Sequence, residues 1–297
     1  MSQLQPSVTA SGMKLKHESL WSKAFTKFTH DKIGMLSLAV VLVYLAIAIL
    51  VWLGVIGQNW DQMMTSGYQG PSAAHWFGTN INGQDIFERA IYSTKVAFEV
   101  GISVALGATI LGALMGAMMG YFTNNIIDEL IQWIMNCLDC IPYFLLVAAI
   151  AFALPNSPYS MHIAMITTFW TGTARVIRAE IIKLKSMEFT EAARALGVPT
   201  YKIIFKHLLP NTSHILLVDM TLLFISAIKS EVILSFLGIG IKNGVSWGIM
   251  LATAGTEVTG GHFCNFFAAS GMLFVLVLAF NMFSDSLQDA LDPRKVS

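Results

Sequence analysis

EIIKLKSMEFTEAARALGVPTYKIIFKHLLPN, residues 180–211, is a basic, helix-forming stretch set between two apolar ones. From Ile181 to Leu196 the residues favour a single helix. Phe189, Ala193 and Leu196 fall at i, i+4 and i+7, which makes one apolar stripe. Glu188, Glu191 and Arg194 fall on another face, where Glu191 and Arg194 can pair at i, i+3. Gly197 stops the helix as a left-handed cap residue. Pro199 can open the next helix at its first turn, and Pro210 ends it. Alanines at 192, 193 and 195 allow a close approach. Two uses fit such a helix: docking in a partner's groove, or lying on lipid headgroups through its lysines. Composition leaves the two near even.

Working outward, the chain becomes strongly apolar. It is 55% hydrophobic and 12% charged, against about 25% charged in a soluble domain, and its mean hydropathy is +0.63. A membrane helix needs about 20 apolar residues. Six stretches qualify: 33–56, 96–122, 130–153, 161–174, 214–236 and 263–284. The second holds only Glu99, the third only Asp139, and the fifth holds Asp219, Lys229 and Glu231. Gly112, Gly116 and Gly120 recur every four residues and line one face of the second, as small residues do where two membrane helices touch.

Orientation follows from the basic residues. The segment before the first span, the loop between the fourth and fifth, and the tail hold 14 of the 18 Lys and Arg. Six crossings put all three on one side, so both termini are expected in the cytoplasm. The expected organisation is a cytoplasmic segment 1–32, a first span 33–56, an external loop 57–95, a core domain 96–290 containing the loop 180–211, and a tail 291–297. The fold class is an all-α integral membrane protein with six transmembrane helices.

Several readings are excluded or weakened. The first 30 residues are polar, so the first span reads as a retained anchor rather than a cleaved signal. Cys137 and Cys140 form a CxxC without a second ligand pair, which reads as two small buried hydrophobes. The seven histidines show no ligand spacing. No GxxxxGK[ST] phosphate loop occurs. No Ser/His, Asp/Asp or HExxH arrangement sits in a span, which argues against an intramembrane enzyme. A self-powered secondary transporter is the reading from another class. It would show repeated halves or broken helices, and the sequence shows neither.

Glu191-Ala192-Ala193, Gly197 and Leu209-Pro210 resemble the EAA loop of ABC-importer permeases. Trp170, Ala174-Arg175, Arg178-Ala179-Glu180 and the run from Glu191 to Gly197 resemble the dipeptide/oligopeptide/nickel permease family, and its C-type, second subunit in particular. Phe77-Gly78-Thr79 with Gly83 and Asp85 is similar to that family's LGTDxxGRD segment. Glu231, Leu234 to Gly238 and Trp247-Gly248 are similar to its LSFLG…WG segment. Asn281, Asp285, Leu287 and Asp289 to Arg294 are similar to its carboxy-terminal signature. The resemblance covers about residues 20–295. Departures are Gln84 in the GRD, Asn80 in the LGTD, Trp133 and Asn136 where the family carries Arg and Asp, Asp139 where it carries an apolar residue, and Phe189 in place of a Tyr.

The resemblance implies a type I ABC-importer permease in the bacterial inner membrane. Cargo would be a dipeptide or oligopeptide, with antimicrobial peptides, polyamines or nickel as alternatives. Partners would be a homologous second permease, two cytoplasmic ABC ATPases and a periplasmic solute-binding protein, with no nucleic acid. ATP would sit on the ATPases, with no cofactor or metal in this chain, which would not be an enzyme. Phe189, Glu191, Ala192, Ala193, Leu196 and Gly197 would form the coupling helix.

An ionised group at the bilayer centre costs at least about 2.5–3.5 kcal/mol. Glu99, Asp219, Lys229 and Glu231 are therefore expected to line the path or to pair. Lys229 and Glu231 point to nearly opposite faces, two residues apart on a helix. Lys229 is expected to pair with Glu99, and Asp219 to line the path nearer the cytoplasm.

Overall fold

The computed structural model describes residues 20–64, 66–242 and 244–291. Lys14, Lys16, Arg294 and Lys295, used above for orientation, lie outside them. The described chain is helical, in the order α1 Leu20–His30, α2 Lys32–Trp52, α3 Ile86–Tyr121, α4 Ile126–Asp139, α5 Tyr143–Ala153, α6 Ser160–Lys185 and α7 Glu188–Ala195. There follow α8 Thr200–Lys202, a π-helical segment Ile203–Leu208, α9 Leu209–Asn211, α10 Ser213–Phe236, α11 Trp247–Thr259 and α12 Cys264–Leu291.

Among the described residues, α2, α3 and α12 are long and apolar enough to cross a membrane. The expected third span is not one helix. It breaks into α4 and α5, bent by 97°. Pro142 explains the break, since it lacks a donor and pushes the residue before it out of the α region. A broken helix is therefore present, contrary to the sequence expectation, and the α4–α5 pair can be counted as one interrupted span. The fourth span also differs. Instead of stopping near Ala174, α6 runs on to Lys185, past Arg175 and Arg178.

The second span begins earlier than its apolar run because its start is capped. Asp85 accepts hydrogen bonds from the backbone N–H of Phe87 (2.8 Å) and Glu88 (3.1 Å), satisfying donors that a helix start leaves free. His75 Nδ1 meets the other Asp85 oxygen at 2.7 Å. Gln84, which departs from the expected arginine, accepts a 2.6 Å bond from Arg89. Gly78 and Gly83 take φ of +74° and +71°, the left-handed turns that glycine allows at low cost.

The glycine face of α3 packs against α6. A Cβ at Gly112 would lie 2.5 Å from Thr173 Cβ, one at Gly116 2.6 Å from the Ala174 carbonyl oxygen, and one at Gly120 2.7 Å from Ile181 Cβ. On another side of α3, Phe224 of α10 stacks on Phe280 of α12 at 4.1 Å between centroids. Its ring occupies the space that a Cβ on Gly101 would need. The Trp247 indole N–H donates to the Ala90 carbonyl at 3.1 Å, and Gly248 lies tight against the Val232 carbonyl. The LSFLG…WG segment is thus a packing joint between α10, α11 and α3.

At the opposite end, α1 lies along α12. Phe28 meets Phe283 edge-on at 5.8 Å, and Lys27 donates to the Asp289 carbonyl at 2.8 Å. Asp31 caps α2 through the Ile33 N–H and accepts from Ser286, a bond that holds its carboxyl below the usual range. Cys137 and Cys140 are exposed on the outside of the chain rather than buried, and all three cysteines are free. Pro142 just beyond them turns the chain away from the packing that a straight span would have given.

Candidate functional site

The segment 180–211 divides differently from expectation. One helix over 181–196 becomes two, because α6 ends at Lys185 and α7 starts at Glu188. Hydroxyls explain the interruption. Ser186 Oγ donates to the Lys183 carbonyl (2.9 Å) and Thr190 Oγ1 to the Leu184 carbonyl (2.8 Å), taking up acceptors that another helical turn would need. Lys185 Nζ then ties this end of α6 to the Tyr121 carbonyl at 2.6 Å, at the end of α3.

Gly197 ends α7 as expected. Its φ is +75°, its N–H bonds to the Arg194 carbonyl, and the Val198 N–H bonds to the Ala193 carbonyl at 3.1 Å. This is a Schellman stop. The chain then turns at Pro199 into α8. Pro210 does not stop the helix that follows: a π-helical segment, Ile203–Leu208, precedes it, and the path continues through Thr212 into α10. Pro210 brings no N–H, and the wider turn before it lets the helix accommodate that loss.

The apolar stripe of α7 is split. Ala193 is buried with Ile203, Ile204 and Leu208 of the π segment and with Ile177 and Ile181 of α6. Thr190 is also buried. Phe189 and Leu196 point outward, at 42% and 83% exposure, and Tyr201 and Phe205 beside them are exposed as well. Glu191, Ala192, Arg194 and Gly197 are exposed, and Glu191 forms no ion pair with Arg194 among the described residues. The inner face of α7 is fixed to the bundle, while its outer face presents two large apolar side chains beside a carboxylate.

The charges in the spans are arranged differently from expectation. Glu99 and Lys229 form no ion pair among the described residues. Lys229 lies on the exposed face of α10, whereas Glu99 faces a recess beside His162 and Lys242. The two side chains leave their helices in different directions, which span positions alone do not reveal. Glu231 is 1% exposed and accepts from Ser235 at 2.5 Å, so it belongs to the α10–α11 joint. Asp219 accepts from Thr173 at 2.5 Å. It opens on a cleft of about 360 Å³ that His214, Val218 and Gln288 also line.

Sequence reading missed the pairs that hold α4 to α6. Arg178 makes two 2.8 Å bonds to Asp128, a bidentate geometry that strengthens the pair. Gln132 adds a third at 2.8 Å. Arg175 pairs with Asp139, which also accepts from Thr171. The signal was present, since Asp128 and Asp139 are three helical turns apart and share a face. Asp128 is buried and Arg178 mostly so. Asp128→Ala should therefore destabilise the protein by about 2 kcal/mol, because it strands the guanidinium. Thermal unfolding in detergent should show a lower Tm, and Arg178→Leu added to it should restore part of the loss.

Residues 108–297 match the family described as binding-protein-dependent transport system inner membrane component. The chain belongs to that family. It is 32% identical over 289 residues to the oligopeptide transport system permease protein OppC of Bacillus subtilis (strain 168), covering 96% of this chain and 93% of that one. It is 34% identical over 234 residues to the dipeptide transport system permease protein DppC of the same organism, covering 78% and 73%. The OppC of Escherichia coli (strain K12) is 31% identical over 287 residues, covering 95% and 94%. The chain thus shares its family with C-type permease subunits of oligopeptide and dipeptide transport systems. In this permease the EAA residues fall on α7 and on its glycine stop.

Proposed function

We propose that this permease is one half of the membrane passage of an ATP-driven peptide importer in the bacterial inner membrane. It crosses the bilayer six times, α6 and α10 completing the count, with both termini in the cytoplasm. A homologous second permease encloses the path with it. Two ATPases grip the α7 helices from the cytoplasm, and a periplasmic binding protein delivers the peptide. Nucleotide drives alternation because the ATPases bind one conformation better than the other.

The observation that carries this reading is α7 itself. Its inner face is anchored by Thr190 and Ala193, its end is fixed by Gly197, and its outer face leaves Phe189 and Leu196 uncovered. Large exposed apolar groups beside a charged one suit a partner's groove. They suit headgroups less well, because the lysines that would hold a lipid surface are not on α7 itself. If ATP drives the transport, its site belongs to another chain, since this sequence carries no phosphate loop.

The experiment is uptake of a radiolabelled tripeptide by cells with and without this chain. Uptake should disappear on deletion, return on complementation and stop when ATP is depleted. Undiminished uptake in the deletion strain would remove the assignment.

A further inference from the structure

Where α6 begins, a recess of about 140 Å³ is lined by Val96, Glu99 and Val100 of α3, Pro158, Tyr159 and His162 of the next turn, and Ile241 and Lys242. It lies at the end of the bundle that carries the 57–85 segment, because Tyr92 of α3 touches both Trp60 and Gly244. His162 is 7% exposed, yet neither ring nitrogen has a hydrogen-bond partner. Glu99 has no ion pair among the described residues. A buried imidazole with both nitrogens unpaired, facing a part-buried carboxylate across one small recess, is costly unless something fills the space.

Lys242 does not fill it. Its ammonium is bound to the carbonyls of Leu154, Pro155 and Ser157, and so braces the wall of the recess. What remains is a carboxylate that only accepts hydrogen bonds and an imidazole with one accepting nitrogen when neutral. A ligand that donates hydrogens to both and carries positive charge complements this pair. A primary ammonium does so, with three N–H bonds on one atom. The volume is that of several waters at about 30 Å³ each, which admits an amino group with its adjoining carbons.

We propose that this recess binds a primary ammonium group, either the amino terminus or a lysine side chain of a passing peptide. The source rests on the peptide-importer reading; the ammonium chemistry rests on the recess alone. Bound there, the ammonium sits between Glu99 and His162 and gives the permease a contact common to cargo of any sequence.

The test uses the complete transport complex in detergent. Diethyl pyrocarbonate modification of His162 is followed by mass spectrometry and divided by that of the exposed His30 in the same sample, because free amines also consume the reagent. Leucinamide, N-acetylleucinamide and N-acetyllysinamide serve as probes. Near 90% occupancy, leucinamide should slow the modification roughly tenfold by mass action, and N-acetylleucinamide should not. Protection by leucinamide alone assigns the amino terminus, and protection by N-acetyllysinamide alone assigns a side chain; protection by both admits either. In Glu99→Gln, His162 should react as fast as in the wild type but lose its protection. Absence of protection by either amine in the wild type, or equal protection by N-acetylleucinamide, would overturn the proposal. The readout needs neither ATP nor uptake, so its failure and a failure of the import assignment are told apart.

Discussion

Gly116→Leu should yield a protein that does not assemble its bundle. A side chain at Gly116 would start 2.6 Å from the Ala174 carbonyl oxygen, 2.9 Å from Ile177 Cβ and 3.1 Å from Ala174 Cα. Two of the three neighbours are backbone, so the clash cannot be relieved by a rotamer change. The helices must separate, and α3 and α6 lose their contact from Gly112 to Gly120. Overpacking a close-packed site costs about 1–3 kcal/mol for small insertions. Leucine adds four carbons to a site with no room for one, and in lipid no hydrophobic force draws the helices back together. The expected result is loss of folded protein, read as aggregation on size exclusion in mild detergent and a collapsed Tm. Gly172→Ala on α6 is the control, since nothing lies within 4 Å of its added Cβ. A Gly116→Leu protein with wild-type Tm would show that the α3–α6 contact is dispensable.

The second large effect concerns function without loss of fold. Phe189→Asp combined with Leu196→Asp changes two exposed side chains and leaves Thr190, Ala193 and the Gly197 stop intact. Stability should stay within about 0.5 kcal/mol, as for surface changes generally. If a partner's groove holds these side chains, each loss weakens docking by about 2 kcal/mol, roughly thirtyfold. Peptide uptake should then vanish while the permease reaches the membrane in normal amount. Undiminished uptake in the double variant would detach α7 from coupling.

The helices were legible where periodicity and small residues carried the signal. The glycine face of α3 was visible because a four-residue period leaves one side of a helix bare. Gly197 was visible because a glycine after a helical run has one common use. The break at Pro142 was missed: the apolar run over 130–153 read as one span, and the single proline within it parts α4 from α5 at 97°. Partners were the least legible. Arg175 and Arg178 looked like loop charges until α6 was seen to continue beneath them and meet Asp139 and Asp128. Glu99 and Lys229 were matched by depth alone, and depth does not say which way a side chain leaves its helix. The recess at His162 could not be read at all, because it joins α3, the turn before α6 and the loop after α10, segments far apart in sequence.

The most direct measurement places a photo-activatable amino acid at position 189 of the assembled transporter and identifies what it captures on illumination. A covalent adduct with the nucleotide-binding subunit, its yield changing when ATP is added, is the predicted result. Capture of lipid alone, or reaction of position 189 with a membrane-impermeant reagent applied to whole cells, would contradict it.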